Sequence, residues 1–260
     1  LARILAAANA NVVLVDINET GLTELSNELA SQGLSADAKV CDITNSQSIE
    51  KLVRDIDSQY QRIDGLVNCA GIIGSNDYMF NIEADEWDAV MRINLKATWQ
   101  MSTGIAAYMI ENSIHGRIVN ISSSLGARAQ LKRIHYATSK AGVEHLTRNM
   151  AMELVKKNIR VNCLAPGWLA TPMVKEILDG PEGEHWRRTI PMGRAADPQE
   201  LTGALLLLAS RASSYMTGSV LRVDGGYPAA RVDRGALQRR PGHGCEHLLD
   251  QPRGGQRLRA

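Results

Sequence analysis

RIVNISSSLGARAQLKRIHYATSKAG, residues 117–142, opens on an apolar alternating run and closes in Tyr136-x-x-x-Lys140 at the start of a long helical pattern. The run 117–122 predicts a buried strand. Residues four apart share one face of a helix, so the Tyr136 phenol and the Lys140 ammonium can meet at one site. Ser123 ends the strand thirteen residues before Tyr136, where its hydroxyl can reach the same point. A phenol ordinarily titrates near ~10, and a positive charge ~5 Å away at an effective dielectric of ~20 is worth ~3 kcal/mol. Lys140 is therefore expected to pull Tyr136 down toward the range where a general acid or base works near neutrality. The plain alternative is a packed tyrosine and a solvated lysine, and Tyr-x-x-x-Lys alone does not decide between them.

Working outward, strand-like and helix-like segments alternate. Residues 11–17 (NVVLVDI) form a continuous apolar run of the kind buried on both faces of a parallel sheet. An amphipathic helix over 20–32, opened by Asn18 or Thr20 and closed by Gly33, leads to a strand over 35–43 and a helix over 46–61. A strand at 63–69 and a long helix over 84–110 precede the central stretch, whose helix runs to about 157. A strand at 159–164 is broken by Pro166–Gly167; a polar, Trp-containing region reaches about 195, followed by a helix over 198–210 and a last strand at 219–224. This alternation predicts a parallel sheet with helices on both faces. Ligands bind at the carboxyl ends of such strands. Asp16, Asp42, Asn68 to Gly71, Ser122, Ser123, Pro166 and Gly167 all fall there.

At 260 residues with 44% hydrophobic content the chain can bury a sizeable core. No run spans a bilayer and no secretory pattern opens the sequence. Cys41, Cys69 and Cys163 sit in apolar strand-like runs without metal-ligand spacing, so buried thiols and a reduced, cytoplasmic setting are expected. Residues 231–260 hold seven Arg against three acids, leaving the preceding 230 at net −3. A mildly acidic body argues against nucleic acid as the main partner.

Individual signals each have two readings. Asp16 can accept hydrogen bonds from an adenosine ribose and repel a 2′-phosphate, favouring NAD over NADP, or be a solvated strand-end acid; Asp42 is the same. Asn68-Cys69-Ala70-Gly71 lets a ligand approach the backbone closely, or is a turn. A buried Asn94 needs partners; it distorts its helix and holds a water, or caps a neighbour. Thr171 bonds a ligand amide or starts a helix before Pro172. Trp168, Met173 and Trp186 line a substrate pocket or are core. His243, Cys245 and His247 do not make a closed site, and no metal is expected.

Taken in order, Asp16, Asn68-Cys69-Ala70-Gly71, Asn94, Ser123, Tyr136-x-x-x-Lys140, Pro166-Gly167-x-x-x-Thr171 and Asp224-Gly225-Gly226 resemble the short-chain dehydrogenases/reductases over about residues 1–227. The resemblance implies a three-layer αβα domain of Rossmann type with a doubly wound parallel sheet. It implies an oxidoreductase moving a hydride between NAD(H) and a secondary alcohol or ketone, the hydride chemistry being the cofactor's. Tyr136 would be the acid/base and Lys140 would hold the nicotinamide ribose. Ser123 would bind the reacting oxygen and Asn94 would position a relay water. Asp16, Ile17, Asp42 and Ile43 would surround the adenosine, with Asn68, Ala70 and Gly71 along the cofactor. Pro166, Gly167, Leu169 and Thr171 would hold the nicotinamide; Ser123, Tyr136 and Trp168 would meet the substrate. A homotetramer or homodimer is implied through the helices 84–110 and 136–157. Region 168–195 is expected to act as a lid, its charges leaning toward a sugar, polyol or oxo-acyl substrate.

Two departures accompany the resemblance. The sequence starts at Leu1, and the family's glycine-rich loop and first strand, which precede the helix that residues 1–9 finish, are not in it. The strands at 11–17 and 63–69 are therefore expected to keep unpaired interior edges. The chain as given is expected to be unstable or poor at binding cofactor, for want of a phosphate-binding helix N-terminus; no gain in NADH binding on adding upstream residues would refute this. Cys69 stands where the family more often has a second Asn. Residues 228–260 continue past Asp-Gly-Gly without apolar periodicity and are expected to be disordered, a polyanion-binding tail being the alternative. Two rival functions remain: a non-catalytic subunit or binding scaffold, and an NADP-dependent carbonyl reductase.

Overall fold

A computed structural model describes residues 1–181 and 183–227. The tail 228–260, with its His-x-Cys-x-His cluster, lies outside the described residues. Helix α1 (Ala2–Ala7) leads into strand β1 (Val12–Asp16), α2 (Glu19–Ser31), β2 (Ala36–Val40), α3 (Ser46–Tyr60) and β3 (Gly65–Asn68). Helices α4 (Ala84–Met91) and α5 (Ala97–Glu111) follow, then β4 (Arg117–Ile121), α6 (Ile134–Leu154) and β5 (Arg160–Pro166). The chain continues through α7 (Pro172–Asp179), α8 (Gly183–Thr189), α9 (Thr202–Ala209) and β6 (Val220–Val223).

All the strand pairs are parallel, in the orders β1-β2 and β3-β4-β5-β6. Among the described residues β1 pairs only with β2 and β3 only with β4, so the sheet is in two parts and the expected unpaired edges of these two strands are present. This alters the expected burial of β1: Leu14 is buried, but its neighbours are only half-buried. Cys69, just past β3, is exposed, where a buried thiol was expected; Cys41 and Cys163 are buried.

Successive β4 residues show the layering. Ile118 packs with Ile49, Ile56, Ile105, Met109 and Ala151 from α3, α5 and α6. Val119 points the other way, to Ile4 of α1 and Leu205 and Leu208 of α9. Helices therefore cover both faces, the alternation being that of any strand. Caps set the helix starts: Asn18 accepts from Gly21 N at 3.0 Å, and Asn45 from Gln47 N and Ser48 N at 2.9 and 3.1 Å.

Three local expectations are corrected. The single helix over 84–110 is interrupted by a π-helical turn, Arg92–Lys96, with Asn94 inside it. Strand β5 is not broken before Pro166 but includes it, opposite Val223 of β6; the next amide, Gly167 N, bonds Val223 O at 2.9 Å. The region to 195 holds α7 and α8, two helices too short to show a periodic pattern. Among the described residues no helix is long and apolar enough to cross a membrane.

Candidate active site

A buried amide ladder fixes α6 against the sheet. Asn68 Nδ2 donates to Asn120 Oδ1 at 2.8 Å and to Ser102 Oγ at 2.8 Å, and Asn120 Nδ2 donates to Thr147 Oγ1 at 3.0 Å. Ser122 Oγ donates to Lys140 O at 2.9 Å, which ties the end of β4 to the same helix. With α6 so placed, Tyr136 and Lys140 lie beside the carboxyl ends of β3 and β4. Asn68 reaches this region through its backbone only, its side-chain amide being spent inward.

Lys140 is 4% exposed and donates from Nζ to Ile121 O at 3.0 Å. Its Nζ is 5.7 Å from the centroid of the Tyr136 ring. Burial pushes the Lys140 pKa down, with no carboxylate to oppose it. Burial also pushes the Tyr136 phenol up; the Ser123 hydroxyl and then the Arg133 guanidinium pull it back only in part. The expected lowering by Lys140 is thus not what this environment produces. The ammonium is itself desolvated and gives one donor to a carbonyl, and Arg133 is the cation that pulls the phenol down.

Asn94 resolves the choice left by its mid-helix position. Fully buried in the π-turn, it accepts from Ile72 N at 2.8 Å and donates to Ile72 O at 2.9 Å and to Ser139 Oγ at 2.9 Å. It clamps the loop after β3 to α6, and π-turns of this kind recur at functional sites. A Cβ on Gly71 would lie 3.1 Å from Asn94 Oδ1 and 3.3 Å from Lys140 Nζ, so any side chain there would press on both.

The loop is held a second time three residues on. Glu86 of α4 accepts from the amide of Ser75, from Ser75 Oγ at 3.0 Å and from His135 Nε2 at 3.2 Å. The Ser75 amide and hydroxyl hold the Glu86 carboxyl below the usual carboxylate range. Arg133 Nη1 donates to Gly74 O at 3.1 Å and Ser75 O at 3.0 Å. Arg133, His135 and Glu86 escaped the sequence reading. The spacing of Arg133 to Tyr136, one helical turn, was a usable signal; Glu86 is joined to His135 only by the fold.

Across the sheet, Asp16 is exposed at the end of β1 and accepts from Asn18 N at 3.0 Å, beside Ile17, which is 69% exposed. Asp42 accepts from Thr44 N and Thr44 Oγ1, both at 2.8 Å, which holds its carboxyl below the usual range. Ile43 packs partly against the core. At the end of β5, a Cβ on Gly167 would come within 2.6 Å of Asp224 Cα, so Pro166 and Gly167 pass tightly over the end of β6. Leu169 bridges to Ala196, and Thr171 caps α7 through Val174 N at 3.5 Å. Trp168 stacks on Trp186 at 5.3 Å and meets Tyr227 edge-on at 6.4 Å. Tyr227 is buried, with Arg128 4.2 Å over its ring. The side chain of Met173 lies outside the described residues.

A cofactor spanning these strand ends would find Asp16 and Ile17 at one end and Gly71, Tyr136 and Lys140 at the other. The family model described as enoyl-(acyl carrier protein) reductase matches residues 1–228. The 3-oxoacyl-(acyl-carrier-protein) reductase FabG of Thermotoga maritima is 37% identical over 221 residues, covering 85% of this chain and 89% of that protein. A putative gluconate dehydrogenase from Agrobacterium tumefaciens superposes with a TM-score of 0.84 at 31% identity, covering 88% of this chain and 90% of that one. A gluconate 5-dehydrogenase from Burkholderia cenocepacia, solved in complex with NADP and tartrate, gives 0.82 at 33% identity, with the same coverage.

Proposed function

The chain belongs to the short-chain dehydrogenase/reductase family, enzymes acting on CH–OH groups, and from that premise we propose that it interconverts a secondary alcohol and its ketone with NAD(H). The observation that carries the reading is the convergence of Ser123, Tyr136 and Lys140 at the carboxyl ends of β3 and β4, the Ser123 hydroxyl bonding the phenol and Lys140 Nζ lying 5.7 Å from its ring centroid.

In the reducing direction the Tyr136 hydroxyl gives its proton to the carbonyl oxygen while the Ser123 hydroxyl donates a hydrogen bond to that oxygen. In oxidation the phenolate of Tyr136 takes the proton from the alcohol. Bound NAD(H) supplies or accepts the hydride. Lys140, held on Ile121 O, presents its remaining donors to a nicotinamide ribose. Both polar atoms of the Asn94 side chain are spent on Ile72 and Ser139, so Asn94 acts by fixing the loop, and a relay water would bind it through its backbone.

Asp16 supports NAD over NADP: an exposed carboxylate at the end of β1 accepts from ribose hydroxyls and repels a 2′-phosphate. A homotetramer or homodimer fits a groove of about 760 Å³ on the outer faces of α4, α5 and α6, lined by Met91, Leu95, Trp99, Gly142 and Leu146. That groove is away from the chemistry, and a second copy is the occupant we assign to it. A cytoplasmic location accords with the free thiols of Cys41, Cys69 and Cys163.

Fluorescence titration with NADH and NADPH tests the reading. Saturable NADH binding at least ~10-fold tighter than NADPH is expected, and Asp16→Ala should narrow that gap. Tighter NADPH binding would favour a carbonyl reductase of the other cofactor class. No binding of either would leave a non-catalytic scaffold.

A further inference from the structure

Arg133 has a feature that its loop-holding bonds do not explain. Both hydrogens of Nη1 are used, on Gly74 O and Ser75 O, which fixes the plane of the guanidinium. Nε and Nη2, the edge that meets a carboxylate with two parallel hydrogen bonds, have no partner among the described residues, and neither nitrogen is shut off from solvent. No acid forms an ion pair with Arg133 among the described residues, and the nearby Glu86 is occupied by Ser75 and His135. A half-buried guanidinium without an anion is a standing cost. Its surroundings add to the positive field. Residues 126–134 contain Arg128, Lys132 and Arg133 and no acid; Arg128 lies over Tyr227 at 4.2 Å and Lys132 over Tyr78 at 4.7 Å. Arg133 is one helical turn before Tyr136, on the same face, and each side chain alters the other's proton affinity.

We propose that the open Nε/Nη2 edge of Arg133 is a carboxylate subsite, and that the substrate pair is a hydroxy acid and its oxo acid, the carboxylate a few bonds from the carbinol carbon. This rests on the oxidoreductase reading above. The acid docks on a fork that the loop carbonyls have already oriented, and its carbinol is thereby delivered to Ser123 and Tyr136. A neutral alcohol of the same size lacks the anchor.

Calorimetric titration of the NADH-loaded protein with 3-hydroxybutyrate, malate and their methyl esters decides it. The acids should bind saturably and the esters at least ~10-fold more weakly. Arg133→Gln should weaken acid binding by ~10-fold or more beyond whatever change the lost loop bonds cause in ester binding; Arg133→Lys, which keeps the charge and loses the fork, should fall between. Equal binding of acids and esters, no binding of either acid, or an equal loss for both classes in Arg133→Gln would overturn the subsite and leave Arg133 as a loop fastener. Failure of NADH itself to bind would instead bring down the oxidoreductase reading first, and the subsite with it.

Discussion

Tyr136 is a phenol whose proton is held more tightly by its surroundings than in water, and the groups that oppose this are Ser123 and Arg133. The sign of one consequence follows. Burial raises the Tyr136 pKa and the Arg133 charge lowers it, so Arg133→Met should raise it further. Alcohol oxidation needs the phenolate, so the rising limb of its kcat against pH should move to higher pH in that variant. Ketone reduction needs the phenol, so its plateau should extend to higher pH. Initial rates at saturating substrate in both directions check this; an unmoved limb would mean that Arg133 does not act on the phenol. At this scale the sequence was informative but incomplete. The positions of Tyr136, Lys140, Ser123 and Asn94 follow from spacing, yet the sign of the pKa shift depends on burial, which no spacing encodes. Nor did any pattern distinguish Asn68, which faces inward, from Gly71, which faces the site.

Between elements, the loop after β3 is the part most exposed to a single substitution. Gly74 has φ +69°, and a Cβ there would sit 2.2 Å from His135 Nε2. Gly74→Ala should therefore displace His135 and Glu86, loosen the turn that carries Tyr136 and lower kcat by ~10-fold or more, with a cooperative melt retained. Rates together with a thermal melt measure this, and unchanged kcat would show that the loop does not position the tyrosine. A second tie joins α3 to β2: Tyr60 Oη donates to Asp37 Oδ2 at 2.6 Å. The Asp37 carboxylate pushes the Tyr60 pKa up to about 12, and the Tyr60 hydroxyl holds Asp37 below its usual range. The tyrosine contribution is complete below ~10 and is lost as pH rises toward 12. The aspartate contribution is present above ~4 and is lost as pH falls through its lowered value. Tyr60→Phe should cost about 1 kcal/mol at neutral pH and flatten the alkaline fall in stability, read from urea unfolding at several pH values. Element types were legible wherever the apolar period was sustained, as in α3 and β4. The π-turn at Asn94 and the short helices α7 and α8 were not, because a five-residue π-turn and helices of two turns leave no period to read.

Over the whole molecule, the parallel order of strands puts every catalytic candidate at one end of the sheet, while the apolar groove opens on the outer face of α4 to α6. Trp99 is 48% exposed at that groove. In an assembly built there, Trp99→Lys would bury a charge without a partner. Light scattering after size-exclusion chromatography should show a smaller species than the parent, and an unchanged mass would place any assembly elsewhere. The alternation of strands and helices made the architecture legible, and the ordered motifs made the family legible. The two-part sheet was expected as well. The split of the core between the two sheet faces depends on which side chains meet across distant segments, as Ile118 and Val119 do, and no local pattern carries it.

The most direct test of the central claim is the turnover of Tyr136→Phe, with NADH binding measured on the same preparation. NADH affinity within about twofold of the parent and a loss of turnover of ~10²-fold or more are predicted, the loss being that expected on removing a general acid/base. Turnover within tenfold of the parent, with cofactor bound equally well, would contradict the account.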